Sequence, residues 1–226
     1  MKSENFLTVE RGADSAARMQ MGILAMRGVS AQNAVPTEDV GAALAEIRRR
    51  YGGLQRAELK ALYPVKAYVD YYKKFGYSYH VLGQLESVLS GKKSVGGGPG
   101  LLQAMFLAEL TGMLLIAGHD LAKVQPPLTL RQADGTESFP TFSGQTAQSV
   151  AGDWLVQDGG GRTLSSILRG QDAESCITES TQDVAYTVYA PASVAVADVE
   201  ATLRLMQGWI LAFSPLAETD VLRVFK

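Results

Sequence analysis

A chain of 226 residues with 46% hydrophobic and 19% charged side chains can bury a substantial core, which excludes a disordered or fibrous polypeptide. Twenty-one basic side chains against twenty-three acidic ones leave a net charge of −2 and no global positive field, so a nucleic-acid partner would need a local basic patch. A single cysteine, Cys176, and two histidines, His80 and His119, exclude an internal disulfide framework and a Cys/His zinc cluster.

The polar start Met1-Lys2-Ser3-Glu4-Asn5 does not open a signal peptide, and no apolar run reaches the roughly 18 residues of a membrane span. A cytoplasmic protein without membrane contact is expected. No motif calls for a cofactor or a metal.

In chain order, Met19 to Arg27 is a short apolar run ended by Gly28, of a length that suits a buried strand. Pro36-Thr37-Glu38-Asp39 opens a helix whose apolar positions Val40, Ala43, Leu44 and Ile47 recur at three and four. It stops at Arg48 to Arg50, which read as cations at a helix C-terminus in preference to a phosphate-binding patch. Val65 to Phe75 places apolar and aromatic groups at 65, 68, 69, 72 and 75 and predicts an amphipathic helix, with another from His80 to Leu89. The tyrosines beside Lys73 and Lys74 suit core packing at that spacing, although exposed ones would stack RNA bases. Gly96-Gly97-Gly98-Pro99-Gly100 precedes a helix from Leu101 to about Leu110. No Gly-Lys-Ser/Thr follows, so a hinge or a close backbone approach fits better than a nucleotide loop.

From Leu114 onward short apolar runs alternate with turns: 114–117, 128–131, 137–142, 154–156, 163–168 and 184–189. Five or six strands at this spacing predict a sandwich-like or barrel-like β core, followed by a helix from about Ala197 to Phe213. The sum is a mixed helix and strand fold with helices concentrated in the first half. One domain over 1–226, with a core at about 19–213, is expected, because no repeat or long polar linker divides it.

Two places carry candidate chemistry. His119 follows an apolar strand directly, where a side chain can face a cleft, and histidine is the acid/base of neutral pH. Its neighbour Asp120 points the other way on an extended chain, so it is not automatically the orienting carboxylate. The second place is Arg169-Gly170-Gln171-Asp172-Ala173-Glu174-Ser175-Cys176-Ile177-Thr178, a polar stretch between two β runs. Arg169 suits a phosphate or carboxylate and Glu174 a hydroxyl or amine. Cys176 has no base visible in the sequence and suits a small core position.

The order of these pieces resembles the B3/B4 domain of the phenylalanyl-tRNA synthetase β subunit and its stand-alone relatives. LLIAGHDLAKV, LTLRQADG, GDWLVQDGGG and RGQDAESCITESTQDVAYTVYAP carry the resemblance, with Gly118-His119-Asp120-Leu121 and Glu174 to Thr178 plus Thr181 as its strongest points. The resemblance spans about Met19 to Phe213. It implies an α+β fold, a β sandwich or barrel with packed helices mainly from the N-terminal half. It also implies hydrolysis of tyrosine wrongly attached to phenylalanine tRNA. Glu174 would then recognise the tyrosine hydroxyl, and His119 would position a water or the terminal ribose. Gly118, Asp120, Arg169, Ser175 and Thr178 would bind substrate, with tRNA as the partner. The chain departs from the family pattern at Gly98-Pro99, at Gln103 and at Ser165 to Gly170, and Ala117 aligns with the family's histidine. Those departures leave open a non-catalytic module for RNA or an amino-acid-like ligand.

Overall fold

The nine residues Met19–Arg27 form a strand, β2, with eight successive buried residues, a pattern that requires cover on both faces. A computed structural model of the chain, which describes residues 6–9, 19–95 and 97–226, shows how that cover is supplied. A short strand β1 (Leu7–Val9) precedes β2. Five helices follow: α1 (Thr37–Tyr51), α2 (Arg56–Ala61), α3 (Val65–Lys74), α4 (His80–Leu89) and α5 (Gly100–Gly112). Next come β3 (Leu115–Asp120), β4 (Leu128–Gln132), β5 (Ser138–Pro140), β6 (Thr146–Gln148), β7 (Trp154–Gln157), β8 (Thr163–Ser166), β9 (Gly170–Gln171) and β10 (Val184–Pro191). Helix α6 (Val196–Phe213) and strand β11 (Glu218–Phe225) complete the order.

The architecture is α+β, with helices concentrated toward the N-terminal half. One sheet runs β11-β2-β10-β3 and is antiparallel throughout; a second runs β1-β4-β7-β8-β9, and β5 and β6 form a separate hairpin. Neither sheet closes into a barrel. Strands β1, β6, β9 and β11 and helix α2 lie outside the elements read from the sequence, and the run 137–142 is a strand only over β5.

Tyrosines tie the helices to the sheets. Tyr68 of α3 donates to the Tyr189 carbonyl of β10 at 2.6 Å, and Tyr72 donates to the Ile167 carbonyl at 2.7 Å. Tyr71 donates to the Asp153 carboxylate at 2.6 Å, and Tyr79 to the Met113 carbonyl at 3.0 Å. The rings of Tyr68 and Tyr79 stack 4.7 Å apart. Each ring is buried and each hydroxyl has a partner, the arrangement that lets a tyrosine sit in a core. Tyr189 carries the same logic between the sheets: its hydroxyl donates to the Ser165 carbonyl of β8 at 3.0 Å and lies 2.8 Å from the Ser165 hydroxyl.

At the start of α5, Gly100 packs backbone against backbone. Gly100 donates to the carbonyls of Ala31 and Asn33, and a Cβ there would lie 2.1 Å from the Asn33 oxygen. That contact is the close approach for which a glycine is needed.

Candidate functional site

Strand β3 lies at the edge of its sheet, and its outer side is closed by the segment from Gly170 to Thr178. The side-chain amide of Gln171 holds both backbone groups of Gly118: it accepts from the amide at 3.2 Å and donates to the carbonyl. A Cβ on Gly118 would meet the ends of the Ile177 and Met105 side chains at 2.8 and 3.0 Å, so a larger residue there would have to displace them. His119 bridges to Cys176, and the Asp120 amide donates to the Ser175 carbonyl at 2.8 Å.

This seam buries a polar trio. The His119 ring nitrogen Nδ1 lies 2.7 Å from the Ser175 hydroxyl, which donates to Asp172 Oδ1. The Ser175 amide reaches Asp172 Oδ2 at 3.0 Å, and the Asp172 amide donates to the Leu164 carbonyl at 2.8 Å. His119, Ser175 and Asp172 are each 0% exposed. Because the serine proton goes to Asp172, the hydrogen-bond pattern assigns a proton to Nδ1 and leaves Nε2 bare. Nε2 is buried with no partner among the described residues. Burial, reinforced by the nearby Arg162 charge, pushes the His119 pKa down to about 3. Burial raises the Asp172 pKa, against bonds from Ser175 that lower it.

The order of the trio decides its chemistry. In a hydrolytic triad the histidine stands between serine and carboxylate and takes the serine proton. Here serine stands in the middle and donates its hydrogen bond to the carboxylate, so the histidine is not placed to take the serine proton.

The remaining candidates separate around this seam. Asp120 does not orient His119. Its carboxylate accepts from the Ala122 amide at 3.0 Å and the Thr181 hydroxyl at 2.9 Å, with Lys123 at 3.7 Å, and so caps the turn Leu121–Lys123. Thr178 joins through Thr181, whose hydroxyl accepts its amide at 2.9 Å. Glu174 is exposed and pairs with Arg162 at 3.3 Å. Arg169 is also exposed, donates to the Gln148 carbonyl at 3.0 Å and lies over the Tyr77 ring at 5.4 Å. Cys176 is half-buried and free. The structure thus brings Gly118, His119 and Ser175 together and leaves Glu174 and Arg169 on the surface. The sequence reading missed Asp172 and Gln171. Its available signal was the spacing Asp172-x-x-Ser175, which suits a side chain capping the amide three residues on.

A second feature lies at the end of α3. Lys73 and Lys74 are exposed in its last turn, and the Tyr77 amide donates to the Tyr72 carbonyl at 3.0 Å, which holds Tyr77 against that turn. Tyr77 is 38% exposed. Arg169 lies over its ring, which puts a cation against Tyr77.

Comparison with solved structures gives a match to an N-terminal fragment of the phenylalanyl-tRNA synthetase β subunit from Pyrococcus horikoshii. The TM-score is 0.53 and the sequence identity 13%. The match covers 96% of this chain and 51% of the fragment, so the chain spans about half the length of that fragment. At this identity the likeness is one of fold. No family model matches the chain. No curated protein matches it. Among the described residues no helix is long and apolar enough to cross a membrane, and no group of His, Cys, Asp and Glu is arranged to hold a metal ion.

Proposed function

We propose that the chain is a non-catalytic RNA-binding module on a B3/B4-like scaffold, acting as one domain. The observation that carries this reading is the separation of its two candidate catalytic groups. His119 is enclosed, uncharged at neutral pH and bonded to a serine that serves Asp172. Glu174 faces solvent against Arg162. Hydrolysis of an aminoacyl ester needs a positioned water and a stabilised oxyanion within reach of one substrate, and groups divided between core and surface do not supply that geometry.

The surface of Lys73, Lys74, Tyr77 and Arg169 supports RNA as the partner. Lysine and arginine attract the phosphate backbone, and an exposed aromatic face accepts a base in stacking without reading its sequence. It is the kind of local basic patch that a chain of net charge −2 requires.

The test is fluorescence anisotropy with unacylated phenylalanine tRNA and with a single-stranded oligonucleotide, repeated over a range of salt. The wild type is expected to bind with an affinity that falls steeply with salt. The triple substitution K73A/K74A/R169A is expected to weaken binding at least about tenfold and flatten the salt slope. Binding unchanged by the triple substitution would overturn the assignment of the surface.

A further inference from the structure

A cleft unrelated to the His119 seam opens where the C-terminal end of α5 meets the first turn of α6. Its volume is about 270 Å³, and Arg50, Tyr63, Thr111, Asp198 and Leu205 form most of its chemical character. Arg50 Nη1 donates to the Thr111 carbonyl at 2.9 Å, which fixes the guanidinium at one wall. Its Nε and Nη2 groups have no carboxylate within ion-pair distance among the described residues. Asp198 receives the Tyr63 hydroxyl on Oδ2 at 2.5 Å, while the Tyr63 oxygen accepts the Ala195 amide at 2.7 Å. Asp198 Oδ1 has no cation near it among the described residues.

The cleft therefore presents a cation and an anion that are each held in place by a neutral partner and are not paired with each other. Thr111 adds a further polar residue to the lining. The Thr111 hydroxyl oxygen is buried and has no hydrogen-bond partner among the described residues, although most buried polar atoms have one. Pro64, Ala201 and Leu205 supply apolar surface between the polar groups.

We propose that this cleft binds a small zwitterion, with the ligand carboxylate on Arg50, its ammonium on Asp198 and an apolar body against Leu205. Arg50 offers paired donors to a carboxylate, and Asp198 offers its free oxygen to an ammonium. A ligand with one charge satisfies one wall and desolvates the other, so both charges are needed for tight binding. The site uses none of the residues assigned to RNA, and its fate is independent of that reading.

The experiment is isothermal titration of the full chain with L-leucine, with isovalerate and isoamylamine as single-charge analogues. Saturable binding of L-leucine is expected, at least about tenfold tighter than either analogue and weakened by at least about tenfold in R50Q and in D198N. Both variants alter exposed side chains, and circular dichroism checks that they remain folded. The variant L205W, which fills the cleft from its apolar side, is expected to abolish binding. Equal affinity for the three compounds, binding that survives all three substitutions, or no saturation by about 10 mM L-leucine would overturn the proposal. The same variants are expected to bind RNA as the wild type does, so the loss of one activity does not imply the loss of the other.

Discussion

The seam behind β3 and the tyrosine layer under α3 are both buried and polar, yet they are built differently. In the tyrosine layer every hydroxyl meets a carbonyl, a carboxylate or another hydroxyl, and burial holds the phenols far from ionisation. In the seam, three groups that ionise or act in catalysis elsewhere are locked together, one ring nitrogen lacks a partner among the described residues, and a histidine is kept neutral. The difference teaches that a His-Ser-Asp set is a catalytic device only in a particular order and with access to substrate. Enclosed and reordered, it closes a sheet edge.

The sharpest way to break this comparison is to remove the carboxylate. Asp172→Ala removes the acceptor of the Ser175 amide and hydroxyl in a buried site, leaving the hydroxyl only the His119 ring, and is expected to cost about 3 kcal/mol in urea unfolding. A cost below about 0.5 kcal/mol would place Asp172 with ordinary surface positions.

The proton balance of His119 gives the next effect. An unfolded histidine protonates near pH 6.5, whereas the folded one does so only near 3. Between those values the unfolded chain binds more protons, so stability falls as pH drops. In His119→Gln that part of the acid loss, expected to be roughly 2–4 kcal/mol across the window, is absent. The measurement is the unfolding free energy against pH for both proteins.

How much of this was legible in the sequence varies with the physics of each element. Helices α1, α3, α4 and α6 show in their apolar spacing because each buries a defined face, and strand β2 shows as a continuous apolar run because it is covered on both faces. Strand β11 is an edge with mostly exposed or half-buried residues and so lacks a strong apolar run. Helix α2 has six residues, one of them buried, and depends on the reciprocal capping of Gln55 and Glu58. At the site, His119 and the segment 169–178 were visible as polar residues beside apolar strands. Their pairing was not, because the contact of His119 with Ser175 spans 56 positions and follows from the closure of a sheet edge.

Glu109 extends the comparison to a carboxyl group in the helical layer. It is buried in α5 and accepts the Ile116 amide at 3.2 Å, and burial pushes its pKa up to about 8 from an ordinary value of 4.5. The folded chain binds more protons than the unfolded chain between those values. This contribution to stability is therefore full below about pH 4.5 and lost as pH rises through about 8. Glu109→Gln is expected to remove that alkaline loss, roughly 2–4 kcal/mol, in the same unfolding series.

Smaller effects sharpen the contrast. Tyr71→Phe removes the bond to Asp153 and is expected to cost about 1–2 kcal/mol. Glu174→Ala, at the exposed pair with Arg162, is expected to stay within about 0.5 kcal/mol.

The central claim is that the scaffold binds without turnover. It is tested most directly by single-turnover release of tyrosine from tyrosyl-tRNA of the phenylalanine type, with excess wild-type protein and the double substitution H119A/E174A in parallel. The account predicts release at the uncatalysed rate in both. Rapid release by the wild type that the double substitution abolishes would contradict it and make the chain an editing hydrolase.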